Sequence, residues 1–201
     1  QSGKTNTISQ LVAQLAAQPD SVCVIFDTKG DYKAHRAIRK SNDFVLEFSE
    51  RCPAWNIFDE ITANGYDDQS VSIFARETAQ ALFQAQKNTQ NPFFYQAASE
   101  LFTAILRCFV YESIFNPTEW RHHLNNRSLK KFILTSESDG LNRLFDHCST
   151  ALPDVQNTAR TYLGSKANTQ GMGVVAELRL MINRCFQGIF ELMPSEDHPS
   201  F

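Results

Sequence analysis

The chain has 201 residues, 42% of them hydrophobic and 11% aromatic, with 19 Lys and Arg against 22 Asp and Glu for a net charge of −3. That composition excludes a disordered tail and permits a buried core, in one large or two modest domains. It also excludes a global electrostatic attraction to nucleic acid, so any such contact must come from a local patch.

At the start, Gln1-Ser2-Gly3-Lys4-Thr5 reads as the second half of the phosphate-binding P-loop, G-x-x-x-x-G-K-[ST], whose first glycine would lie upstream of Gln1. The residue types fit the chemistry. Successive backbone N–H groups wrap phosphates, Gly3 permits their close approach, Lys4 supplies a mobile ammonium, and Thr5 offers a hydroxyl to Mg²⁺. Ile8, Leu11, Val12, Leu15 and Ala16 recur at helical spacing, predicting an amphipathic helix whose positive N-terminal end faces the phosphates. Gln18-Pro19-Asp20 stops it. Val22 to Phe26 is continuously β-rich, the pattern of a strand buried on both faces of a parallel sheet. Asp27-Thr28-Lys29-Gly30-Asp31 then places polar groups at the strand's carboxyl end, where open α/β sheets hold ligands. Asp27 reads either as a nucleotide or metal contact or as an ordinary Asx-turn. A short polar helix over Tyr32 to Lys40 and a strand over Phe44 to Phe48 extend the α/β pattern, and Arg51 to Phe58 reads as a packed connector leaving the sheet.

From about Asp67 the period becomes 3.6. Val71, Phe74, Ala75, Thr78 and Leu82 mark one helix, and Phe94, Ala97, Ala98, Leu101, Phe102, Ile105 and Phe109 a stronger one, with a loop at Asn88 to Pro92 between them. Shorter helices are predicted over Thr118 to Leu124, Leu129 to Leu134 and Leu141 to Cys148, with Ser128 and Asp139 as caps. Pro153 opens a helix carrying Val155, Ala159, Tyr162 and Leu163, and a last helix runs from about Val174 to Phe190. Arg121, Arg127, Lys130 and Lys131 cluster beside Trp120, where they read either as a phosphate contact or as plain surface. His122 and His123 are adjacent, which on a helix points them about 100° apart and unsuits them to one metal. The five cysteines (Cys23, Cys52, Cys108, Cys148, Cys185) are scattered, odd in number and without a C-x-x-C pair, the usage of free thiols in a reducing compartment.

Gln-Ser-Gly-Lys-Thr, Val-Ile-Phe-Asp-Thr-Lys-Gly-Asp, Trp-Asn-Ile-Phe-Asp and the helix opening Asn-Pro-Phe-Phe-Tyr-Gln-Ala-Ala together resemble the motor domain of TraD-type coupling proteins of bacterial conjugation and type IV secretion. The resemblance spans nearly the whole chain. It implies an α/β fold, a RecA-like P-loop NTPase lobe with a partial parallel sheet and an inserted all-α domain. Residues 1–65 would be the partial nucleotide-binding domain, 66–192 the all-α domain and 193–201 the start of the return. It implies ATP and Mg²⁺ as cofactors, Lys4 as the catalytic residue and Thr5 on the metal. Gln1, Ser2, Gly3, Lys4, Thr5, Asn6, Asp27 and Lys29 would bind nucleotide, with Thr28 standing where the family's strand-end motif has proline. The implied work is ATP-driven passage of single-stranded DNA with its attached relaxase (the relaxosome) toward the secretion channel. A homo-hexamer would do this on the cytoplasmic side of the bacterial inner membrane, anchored by a segment upstream. No hydrophobic strand ending in Asp-Glu follows residue 191, so the Walker B carboxylates are expected outside this stretch. Another DNA-pumping or secretion ATPase, or a non-enzymatic helical module that recruits partners, fits the same residues.

Overall fold

The structure is a computed structural model and describes residues 4–29, 32, 45, 53–83, 92–164, 169–193 and 195. Two compact units divide the chain, Gln1–Glu47 and Phe48–Phe201.

In the first unit, helix α1 (Lys4–Ala16) forms where the helical spacing placed it and gives way to turns at residues 17–20. The expected strand at Val22 to Phe26 does not form. Residues 21–27 are extended chain without a ladder, and Val22, Val24 and Phe26 are 91%, 95% and 93% exposed. Among the described residues there is no strand or sheet, which corrects the expectation of a RecA-like α/β lobe with a partial parallel sheet. The cause is physical: β propensity measures fit to a pleated surface shared with neighbours, and a β-rich run without a paired strand has nothing to bury its side chains against. For the same reason the apolar stripe of α1 stays open, with Ile8, Leu11 and Leu15 all exposed. The polar helix expected over Tyr32 to Lys40 and the strand over Phe44 to Phe48 lie outside the described residues, except for Tyr32 and Val45.

All the remaining described helices lie in the second unit: α2 (Ile57–Ile61), α3 (Asp68–Phe83), α4 (Phe93–Phe115), α5 (Pro117–Trp120), α6 (Asn126–Thr135), α7 (Ser138–Cys148), α8 (Pro153–Leu163) and α9 (Thr169–Cys185). Helix α4 is the axis. From Ala104 to Val110 every residue is buried, the mark of a helix enclosed on all sides, and α3, α7, α8 and α9 pack around it. Phe102 packs on Phe83 of α3 (ring centroids 6.0 Å apart), and Phe109 stacks on Phe58 of α2 at 5.7 Å. Gly173 lets α9 approach α4, because a Cβ there would stand 2.6 Å from the Phe94 ring. Arg107 of α4 is a buried charged residue. Its guanidinium pairs with Asp68 at 2.9 Å, in the first turn of α3, and with Asp154, in the first turn of α8. Both carboxylates also lie where the helix dipole favours negative charge. Burial works against the Arg107 charge, yet the hydrogen bonds it donates to Asp154 and Asp68, with their charges, outweigh it and raise its pKa, while the bond to Asp154 lowers that of Asp154.

Several boundaries differ from the periodicity reading. The helix expected over Thr118 to Leu124 is the single turn α5 followed by a 3-10 turn at Arg121–His123. Asn125, not Ser128, caps α6: its side chain accepts the Ser128 N–H at 2.8 Å. Asp139 lies inside the first turn of α7 and not at its cap. Helix α9 starts at Thr169 and ends at Cys185, five residues short of Phe190, because Gly188 takes a positive φ of 57° and opens a second 3-10 turn, Gly188–Glu191.

The chain enters and leaves this unit at one place. Trp55 stacks on Phe186 (6.4 Å) and meets Phe190 edge-on (5.9 Å), so the segment before α2 lies against the segment after α9. Asn126, buried at the start of α6, locks the two. Its Oδ1 accepts the Ile57 N–H at 2.9 Å, and its Nδ2 donates to the carbonyls of Trp55 at 2.7 Å and Phe190 at 3.0 Å. Asn56 adds a bond to the Leu124 carbonyl at 3.1 Å. Adjacent entry and exit make this the geometry of a unit that can be inserted into another fold without disturbing it.

Candidate nucleic-acid interface

Lys4 and Asn6 are exposed in the first turn of α1, which carries no acidic residue. The first N–H groups of any α-helix have no partner within it, so this end favours an anion. Thr5 lies in the same turn, while Gln1, Ser2, Gly3 and Gly30 lie outside the described residues. The half-buried Asp27 accepts the Tyr32 N–H through Oδ2 at 2.8 Å, which closes the loop that carries exposed Lys29. That bond spans five residues, wider than the two of an Asx-turn.

The four clustered basic residues Arg121, Arg127, Lys130 and Lys131 do not act as one group. Lys130 is engaged in the fold. Its ammonium donates to the Phe186 carbonyl at 2.7 Å and pairs with Glu191, which ties α6 to the exit segment. The reading of Lys130 as plain surface is corrected by this contact. Arg127 is exposed and gives one N–H to the Glu191 carbonyl at 3.2 Å. Arg121 and Lys131 are exposed and take part in no ion pair among the described residues.

The histidines also differ from the expectation of diverging side chains. Both sit in the 3-10 turn, with their rings at a centroid distance of 3.9 Å. His123 further meets Trp120 edge-on at 5.8 Å, and Trp120 meets the buried Phe109 at 5.2 Å, which anchors the turn to the core. Asn125 fixes its backbone: the side chain donates to the His122 carbonyl at 2.8 Å and its N–H to the His123 carbonyl at 2.7 Å. Burial, then the neighbouring His122 and Lys131 charges, hold the His123 pKa below its ordinary 6.5. Among the described residues no third His, Cys, Asp or Glu joins them in a group that could hold a metal. The supporting role of Asn125 and Asn126 was missed from sequence, although Asn-Asn directly before an amphipathic run is a capping signal.

Elsewhere the polar groups are structural. Cys108 and Cys148 are buried free thiols, and burial followed by the neighbouring Cys148 pushes the Cys108 thiol up, which makes it unreactive. Cys148 also points at buried Glu112, 3.7 Å away.

The second unit is an all-helical domain that carries exposed basic residues and Trp120 near the junction of the segments before α2 and after α9. The family model for the type IV secretion-system coupling protein DNA-binding domain matches residues 1–170, and the chain belongs to that family. No curated protein and no solved structure matches the chain. Among the described residues no helix is long and apolar enough to cross a membrane.

Proposed function

We propose that this chain belongs to the ATP-driven motor of a type IV secretion coupling protein, in which α1 opens the nucleotide site and the helical unit contacts the transported DNA. The observation that carries the reading is the family match over residues 1–170, a span that contains both the half P-loop and most of the helical unit. The first turn of α1 fits a nucleotide phosphate, being free of carboxylates and headed by exposed Lys4. In this reading Lys4 and the N–H groups of Gly3, Thr5 and Asn6 bind the phosphates, the Thr5 hydroxyl holds Mg²⁺, and Asp27 and Lys29 approach from the following loop. Mg²⁺, when bound, neutralises charge that develops on the transferring phosphoryl group. Relaxase-bound single-stranded DNA as cargo, a homo-hexamer and an inner-membrane location with this part in the cytoplasm complete the proposal.

The test is phosphate release by the complete coupling protein with and without single-stranded DNA. Lys4→Ala removes one preorganised cationic donor, so turnover should fall by about 100-fold or more. The fold should survive, because Lys4 is exposed. Normal turnover in that variant would remove this loop from the nucleotide site.

A further inference from the structure

We propose that His122, His123 and Lys131 form a binding site for the phosphodiester backbone of nucleic acid, tightened by protonation of the two imidazoles as pH falls. The inference rests on the DNA-contacting role of the helical unit and adds to it a place and a regulation.

Three observations carry it. The rings are held 3.9 Å apart on a turn fixed by Asn125 and braced through Trp120 on the core, so the cations they become are positioned in advance of any ligand. Among the described residues neither imidazole has a carboxylate within ion-pair distance. The groups that bear on them complete the picture. On the turn itself Arg121 is exposed; from α5 come exposed Glu119, in no ion pair among the described residues, and Trp120; from α4 comes Phe109. From α6 come Lys131, the exposed Arg127 and Lys130, whose ammonium is already taken by Glu191. The patch is thus short of one anion.

Burial, and then the neighbouring His122 and Lys131 charges, make His123 resist protonation. An anion laid across them removes that resistance, so binding takes up protons, and by linkage affinity rises as pH falls through the imidazole range. A phosphodiester stays singly charged over that range, which leaves the protein as the titrating partner, unlike a phosphate monoester with its second pKa near ~6. A nucleic-acid strand supplies such groups in series, and Arg121 in the turn and Arg127 in α6 offer further exposed cations.

The experiment is fluorescence anisotropy of a labelled oligo-dT strand with the 201-residue chain at constant ionic strength, at pH 5.8 and 7.5. Wild type should bind about tenfold more tightly at the lower pH, as an average uptake of about 0.6 proton across that interval requires. His122→Gln with His123→Gln should abolish the difference between the two pH values, whereas Lys131→Gln should weaken binding at both. Exposed His122→Gln alone, which disturbs packing least, should lose part of the dependence. Imidazole titrations followed by NMR should show both midpoints rising when the strand is added. An affinity equal at the two pH values, a pH dependence that survives in the double variant, or unmoved midpoints would overturn the proposal while leaving DNA binding intact. Absence of binding at either pH would overturn it together with the assignment of DNA contact to the helical unit.

Discussion

Asn126 is the residue whose loss should cost the helical unit most for its size. It makes three buried hydrogen bonds, one accepted from Ile57 and two donated to Trp55 and Phe190. Asn126→Ala leaves the Ile57 N–H, buried at 0% exposure, without its acceptor, a desolvation cost of about 1–3 kcal/mol. The two carbonyls each lose a donor at a net ~0.5–1.5 kcal/mol. The total is about 2–6 kcal/mol, a large share of the ~5–15 kcal/mol that holds a typical domain together. Asn126→Asp separates the contributions. It keeps an acceptor for Ile57 but sets a carboxylate against two carbonyl oxygens, so it should be strongly destabilised at pH 7 and less so at pH 5, where the acid protonates and can donate. Urea unfolding followed by far-UV circular dichroism measures both variants. A loss below about 1 kcal/mol for Asn126→Ala would refute the claim that this side chain clasps entry to exit, since even one unmatched buried donor exceeds it.

Three further outcomes are expected. Phe102→Ala should cost about 3–5 kcal/mol in the same assay, because the ring is fully buried against Phe83 and the rigid α4 cannot collapse to fill the space. Lys130→Ala should lose about 1–3 kcal/mol through its carbonyl and Glu191 contacts, while Lys131→Ala leaves stability unchanged and weakens DNA binding with a shallower salt slope; equal thermal midpoints for the two would count against dividing their roles. Asp154 has a folded-state pKa below its ordinary 3.8, mainly through Arg107, so its contribution is complete above 3.8 and lost as pH falls through the lower folded value. Asp154→Asn should therefore flatten the acid limb of the stability curve, and an unchanged limb would show that the Arg107 pair does not carry it.

Much of the helical unit was legible because its signals are local. Helix α4 needed only its apolar period, α8 only Pro153 at its first turn, and both stand where the pattern placed them. The failures occurred where the outcome depends on partners far along the chain. Val22 to Phe26 has the composition of a buried strand, but strand formation requires a neighbour to pair with, which no local window contains. Lys130 and Lys131 look alike in sequence, and only the return of the exit segment after α9 separates a fold-bearing lysine from a free one. The histidine pair was misjudged for a different reason. The angle between successive positions fixes only where the side chains start, and at about 120° it is wider in a 3-10 turn than in an α-helix; rotation of the two side chains brings the rings to 3.9 Å. The half P-loop is a motif of the sequence, and its first three residues lie outside the described part of the chain.

Photo-crosslinking of single-stranded DNA to the chain, with the adducts mapped by mass spectrometry, tests most directly the claim that the end of the helical unit where entry meets exit is its nucleic-acid face. Adducts should concentrate between Trp120 and Lys131 and fade as salt rises. Adducts confined to the far surfaces of α3 or α8, with none on this segment, would contradict the account.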